Sequence, residues 1–371
     1  MFRPAVKDIL LAVFCLLAAA LLIAYAPAAS AGAVRGIAAC GSVILPAVFP
    51  FLAVSVFLAG APGGTVLARA FAEVAVRCYR LPPAAAPAIL MSWIGGYPAG
   101  AKTLAELQKR GAVTARQTQQ GAALLIHSGP AYMAGVVGQR IFGSVAVGLF
   151  LFLCQLAAGL LTARLLTLGQ PRPRPGGDAP APPKAESAAV LLVRSVGSAA
   201  ASAVNICAFV VLLSAFSAVL AACGVFPLLA KGLAALSGGR LCGTTADCLL
   251  TGLLEICAGS AMAARLPPAE AAKILPFLLS FGGISICCQV AACLGETGLP
   301  WGRLLLSRLL HGLLTALLAL PWLGRRAAVP AMTGAAVPAL SLGRMLWGSL
   351  WMLVLCRMLA ARWERGLPKS Q

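Results

Sequence analysis

The chain has 371 residues, of which 60% are hydrophobic and only 11% charged, against about 25% charged in an ordinary soluble domain. That composition excludes a water-soluble globular protein of this length and indicates an all-α, polytopic membrane protein. The net charge of +19 does not point to nucleic acid, because the cations flank apolar runs and form no basic face interleaved with aromatics.

In chain order, residues 1–32 form a first transmembrane element. Its apolar stretch, Ile9 to Ala26, is longer than the core of a signal peptide and is followed by no convincing cleavage site. Residues 33–168 form a first repeat. Within it, Pro82 to Tyr97 is too short to span and stops at "IGGYPAGAK" (94–102). A polar amphipathic connector follows, on which Glu106 and Arg110, four residues apart, read as a solvated pair. Gln117 to His127 is again short and ends at "HSGP", and Ser144 to Leu168 is a long apolar helix.

Residues 169–187, "GQPRPRPGGDAPAPPKAES", are a linker: six prolines forbid helix and the charges hold it in water. In the second repeat, residues 188–324, the same order recurs. A short run (Leu249 to Ile256) breaks at "EICAGSA", and a connector "LPPAEAAK" follows. A second short run (Ile274 to Phe281) breaks at "FGGIS", and Trp301 to Leu323 is a long helix. Residues 325–371 carry a last transmembrane helix, Leu346 to Leu359, and a basic tail.

Broken apolar segments in corresponding places of two halves predict re-entrant hairpins or discontinuous helices around a binding site. Arg3 and Lys7, the linker's Arg172, Arg174 and Lys184, and Arg357, Arg362 and Arg365 place both termini and the linker in the cytoplasm. The two repeats then run in opposite senses across the bilayer, with Arg325 and Arg326 on the outer side.

Only ten acidic residues occur. Asp247 and Glu255 are set apart because they lie in apolar sequence, eight residues apart with Thr251 between, a spacing that shares one helical face. An ionisable group at the bilayer centre costs at least ~2.5 kcal/mol, so it persists where it faces a cavity, meets a cation, or handles H⁺ or Na⁺. Both residues are therefore ion-coupling candidates, with a salt bridge to an arginine as the structural alternative. Lys102 follows the glycine break; it either complements an anionic substrate, with helix N-terminal N–H groups, or snorkels to water.

The two histidines are His127 and His311. Ser128 with His311 makes no complete protease constellation, since no GxSxG elbow or usable acid accompanies them; His311, in "LLHGLL", reads as a packed helix residue. Neither a Walker nor a dinucleotide glycine pattern occurs. Thirteen cysteines include no CxxC pair, and the groups Cys242/Cys248/Cys257 and Cys287/Cys288/Cys293 lack histidine or aspartate at ligand spacing. No metal or organic cofactor is expected, only a coupling Na⁺ or H⁺.

"GGYPAGAK", "SGP" about 30 residues on, "FGGIS" with Gln289, and "LLHGLL" together resemble the YlbJ-type (SpoVV) sporulation integral membrane proteins, over about residues 36–320. The resemblance implies two Gate, or nucleoside-recognition, domains similar to the core of concentrative nucleoside transporters. It implies a role in endospore formation, in the outer forespore membrane, moving dipicolinate from the mother cell toward the forespore. By the same resemblance, Gly96, Tyr97, Pro98, Gly100, Lys102, Ser128, Gly129 and Pro130 are substrate-site elements of the first repeat. Gly282, Gly283, Ser285 and Gln289 are their second-repeat counterparts, and Glu255 matches a helix-borne substrate-binding glutamate. Two positions depart from the family pattern: His127 stands where asparagine is expected, and Cys287 or Cys288 where histidine is. The expected partners are a small anionic metabolite, the lipid bilayer and a second copy of the chain. An ion-coupled nucleoside transporter and a non-transporting scaffold for spore assembly are the competing readings.

Overall fold

The computed structural model describes residues 6–61, 63–171, 173 and 187–326. The last helix (Leu346 to Leu359), the basic tail and most of the proline-rich linker lie outside the described residues. The described residues form helices and the turns between them, without strands. Five segments among them are long and apolar enough to cross a membrane: Ala26–Ile44, Val145–Leu166, Ala188–Ala222, Pro268–Thr297 and Trp301–Leu323.

In the N-terminal half, α1 (Val6–Ala24) precedes α2 (Ala26–Ala39), so residue 32 lies inside α2. A single π-turn, Cys40–Ile44, joins α2 to α3 (Leu45–Gly60). Pro46 explains the wide turn: its ring lacks an N–H and crowds the preceding carbonyls, and the extra residue in the turn relieves that conflict. Next come α4 (Gly63–Val74), running on as a π-segment to Tyr79, then α5 (Ala86–Gly95), α6 (Tyr97–Lys109) and α7 (Ala115–Leu124). A short α8 (Pro130–Tyr132) continues as a π-segment to Ile141, and α9 (Val145–Leu166) closes the half.

The C-terminal half contains α10 (Ala188–Ala222), α11 (Val225–Leu236), α12 (Gly243–Leu254), α13 (Ile256–Ala263), α14 (Pro268–Phe281), α15 (Gly283–Leu294) and α16 (Trp301–Arg326). At 35 residues, α10 is about 50 Å long, well beyond a ~30 Å hydrocarbon core.

The long helix α10 lies along α2 and α3. Gly32 and Gly36 make the approach: a Cβ on Gly32 would sit 2.5 Å from the Ser214 carbonyl oxygen, and one on Gly36 2.8 Å from Val211 Cα. This is the small-xxx-small packing by which membrane helices bring their backbones together where no hydrophobic effect drives them. Below it, Leu52, Met91, Ala99, Ala199, Ala203, Ile206 and Val210 form a buried core shared by α3, α5, α6 and α10. Gly36→Leu is expected to push α10 off α2 and lower the thermal midpoint of the purified chain. Gly197→Leu, on α10 with open space around it, is expected to leave the midpoint unchanged.

Four interruptions organise the rest. Helix α5 stops at Gly95, and Gly96 (φ 83°, ψ −165°) turns the chain into α6. Helix α6 then folds back along α5, because the missing side chain of Gly100 lets Ser92 and Ala88 come close. In the other half, α12 stops at Leu254, Glu255 is extended (φ −144°, ψ 112°), and α13 folds back along α12. There Gly259 packs directly on Gly252. Gly100 and Gly259 each lie four residues past the start of their break. The other two interruptions are the non-helical stretch Leu125–Gly129 between α7 and α8, and Gly282 (φ 84°) between α14 and α15.

Candidate functional site

Within each half the two breaks touch. A Cβ on Gly96 would lie 3.0 Å from the Gly129 amide nitrogen, and one on Gly129 3.4 Å from the Ile94 carbonyl oxygen. A Cβ on Gly283 would lie 2.9 Å from the Gly252 carbonyl and 3.4 Å from those of Leu253 and Leu254. The second break of each half is therefore seated on the carbonyl end of the first hairpin's leading helix.

The two halves meet through polar side chains aimed at freed backbone. The Leu279 carbonyl near the end of α14 accepts from Tyr97 Oη at 2.5 Å, Ser128 Oγ at 3.1 Å and Gln155 Nε2 at 3.2 Å. Tyr97 Oη also bonds Ser128 Oγ. In the crosswise sense, Tyr132 Oη on α8 donates to Ser260 Oγ on α13 at 2.8 Å. Helix ends stripped of intrahelical partners need such donors, since unpaired backbone groups away from water cost several kcal/mol each.

Arg308, about two turns into α16 and 1% exposed, serves two helix ends at once. Its Nη1 donates to the Ile126 carbonyl at 2.7 Å, beyond the end of α7, and to the Ser280 carbonyl at 3.2 Å, in the last turn of α14. Its Nη2 reaches the Ala123 carbonyl at 3.5 Å and Ser307 Oγ at 3.2 Å. The described partners are all neutral, so the guanidinium charge is met by the partial negative charge at two helix C-termini. His311 Nε2 bonds the Gln155 carbonyl at 2.9 Å and its Nδ1 faces Arg308 Nη1 at 3.2 Å.

His127 is wholly buried, its Nδ1 3.0 Å from Ser92 Oγ. Gly159 leaves room for the ring: any Cβ there would overlap His127 Nε2. Gly159→Val is accordingly expected to lower the thermal midpoint by the several degrees that a few kcal/mol of overpacking produces. Gly135→Val, in open space, is the control. Neither histidine bonds the Ser128 hydroxyl, which is occupied by Tyr97 and Leu279.

Glu255 is completely buried and caps the N-terminus of α13: its Oε1 accepts from the Cys257 amide at 3.0 Å and its Oε2 from the Ala258 amide at 2.6 Å. The extended backbone at Glu255 points the side chain forward onto the helix that it precedes, as at any N-cap. The residue also borders a cavity of about 420 Å³, shared with Asp247, Thr251, Arg35, Arg265 and Ser214. Asp247 and Thr251 lie on one face of α12, so the face-sharing expected of 247, 251 and 255 is present although the helix itself stops at Leu254. One carboxylate oxygen of Asp247, Oδ1, is buried without a hydrogen-bond partner.

A smaller cavity of about 70 Å³ lies where the breaks converge, lined by Gly96, Tyr97, Pro98, Gly129, Tyr132 and Gln289 among others. Cys257 borders both cavities. Of the remaining sequence candidates, Ser285 is buried and accepts from Gln289 Nε2 at 3.0 Å. Gly100, Pro130, Gly282, Gly283 and Ser285 shape the backbone and border neither of these cavities.

Lys102 also borders neither, and pairs instead with Glu106 one turn on, at 3.9 Å. Glu106 is buried, and Lys109 approaches it at 3.4 Å. The solvated Glu106–Arg110 pair read from the sequence is thus corrected: the carboxylate turns inward to Lys102 while Arg110 reaches Gly60. The connector is covered, its Gln108 and Gln119 bonding Thr297 from the other half.

The chain is 26% identical over 335 residues to the sporulation integral membrane protein YlbJ of Bacillus subtilis (strain 168), covering 84% of this chain and 81% of the relative. It is similar to the YlbJ-type proteins over most of its length. The chain is a multi-pass integral membrane protein, as its relative's description and its own long apolar helices agree. No family model matches the chain, and no solved structure does.

Arg308, Tyr132, Gln155 and Arg35 do not stand out as site residues from the sequence. Arg308 carries a signal all the same: it interrupts the apolar run "LLLSRLLHGLL", and an ionisable residue inside a membrane segment is a functional candidate whichever its sign.

Proposed function

We propose that this chain carries a small anionic metabolite, dipicolinate, across a membrane of the sporulating cell, from mother cell toward forespore. The observation that carries this reading is the cavity of about 420 Å³ in which Arg35 and Arg265 share the lining with Asp247 and Glu255. Its volume falls in the range of small-ligand pockets, roughly 300–1,000 Å³. The arginines offer partners to carboxylates of the substrate, and the acids offer a place for the coupling Na⁺ or H⁺.

The recurring order of hairpin, interrupted helix pair and long helix supports an inverted-repeat transporter core. Such cores hold substrate at the bilayer midplane between discontinuous helices. The interrupted helices and the crosswise tyrosine contacts between halves fit that arrangement. The sporulation role comes from the relative's description.

In a sporulating strain deleted for its own YlbJ, the wild-type chain is expected to restore spore dipicolinate. Arg35→Ala with Arg265→Ala is expected to restore little of it. Lys102→Met, whose partner is Glu106 and not the cavity, is expected to stay within about twofold of wild type, the scale of a weak i,i+4 pair. Full restoration by the double arginine variant counts against an anionic substrate in this cavity. Restoration by every site variant favours the scaffold reading.

A further inference from the structure

We propose that Arg308 mechanically couples the two interrupted helix pairs, α7–α8 and α14–α15, so that the breaks in the two halves loosen together and not singly. One terminal nitrogen, Nη1, holds carbonyls from both halves: Ile126 at 2.7 Å and Ser280 at 3.2 Å. The planar guanidinium fixes these two directions relative to one another, which a flexible point charge does not.

The held carbonyls are next to the polar contacts between the halves. Ile126 lies two residues before Ser128, and Ser280 follows Leu279, whose carbonyl takes the hydroxyls of Tyr97 and Ser128. Arg308 therefore stands behind the Tyr97–Ser128–Leu279 group that adjoins the smaller cavity. It borders neither cavity and acts through these neighbours as a positioning residue.

Geometry sets the sign of the coupling, and charge holds the cation in place. Each helix C-terminus carries roughly half a negative elementary charge. With the guanidinium in place the two ends share one cation and attract it jointly. Once one end withdraws, the guanidinium loses half of the carbonyls that orient its fork and swings or takes up water, so the other end loses its fixed donor as well. His311 and Ser307 complete the shell from α16 itself and move with the arginine.

The coupling concerns the site of the transport reading, yet it can be measured without any substrate, so failure of one is distinguishable from failure of the other. The purified full-length chain would be followed by hydrogen–deuterium exchange in lipid nanodiscs, comparing peptides over 121–130 and 276–286. Arg308→Met is expected to raise exchange in both peptides by about tenfold, with peptides from α2 and α10 unchanged. Arg308→Lys, retaining the charge without the fork, is expected to raise both by a smaller factor, and it decides the matter if the methionine variant does not fold.

The coupling itself is read by perturbing one break and watching the other. Ser92→Ala removes the hydroxyl that bonds the Leu125 carbonyl at 2.9 Å and faces His127 Nδ1, which disturbs the first break alone. Exchange over 276–286 should rise with Ser92→Ala in the Arg308 protein and not rise further in Arg308→Lys. A rise confined to 121–130 in the Arg308 protein, or equal transmission in both backgrounds, overturns the proposal.

Discussion

Replacing Glu255 by alanine is expected to abolish dipicolinate flux through the reconstituted chain, the largest functional effect of any single side-chain truncation in the site. Two contributions add. The carboxylate accepts from the Cys257 and Ala258 amides at the start of α13, and each bond to a charged acceptor contributes about 1.5–3 kcal/mol. Removing it leaves two buried donors open and frees the break between α12 and α13. It also removes one of two acids from the larger cavity. Glu255→Gln separates these roles, because the amide oxygen still accepts one bond while the negative charge is gone. Flux with glutamine close to wild type would confine Glu255 to capping; loss with a retained thermal midpoint assigns the charge to ion coupling.

Gly96→Ala is expected to cost more stability than any other alanine substitution at a left-handed glycine in the first half. Its φ of 83° with ψ of −165° lies in a region essentially reserved for glycine, at ~1–3 kcal/mol for another residue. The new Cβ would also press on the Gly129 amide at 3.0 Å, where the two breaks of the half touch. Gly111, with φ 74° and open space around it, is the comparison at a positive-φ glycine with no close neighbour. The Gly96 variant should melt below the Gly111 variant by several degrees. Equal midpoints would mean that neither the contact between breaks nor the ψ of −165° at Gly96 adds to the cost.

The interruptions are legible in the sequence because glycine and proline declare them locally. "GGYP", "SGP" and "FGG" end runs too short to span, and the helices stop within a few residues of those motifs, at Gly95, Leu124 and Phe281. The long helices α9 and α16 are equally clear, since an unbroken apolar run has few other fates in a bilayer. Glu255 is legible as an anomaly of polarity, although its role as a cap depends on backbone geometry that no spacing encodes.

What escapes a sequence reading is pairwise. Whether Lys102 points toward a substrate or toward Glu106 is decided by which face of α6 packs inward, and the connector's many polar residues disguise a buried helix. Gly32 and Gly36 look like ordinary small residues until α10 is laid against them. Arg308 is meaningful only when the ends of α7 and α14, which belong to different halves of the chain, arrive at one place. A single sequence offers no way to see that convergence.

The central claim, that the acid- and arginine-lined cavity between the α12–α13 hairpin and helices α2 and α10 carries a small dicarboxylate, is tested most directly by uptake of radiolabelled dipicolinate into proteoliposomes containing the purified full-length chain. Uptake should depend on an imposed Na⁺ or H⁺ gradient, compete poorly with nucleosides, and disappear in Glu255→Ala. Absence of uptake by the folded wild-type chain under either gradient, or uptake unaffected by Glu255→Ala, would contradict it.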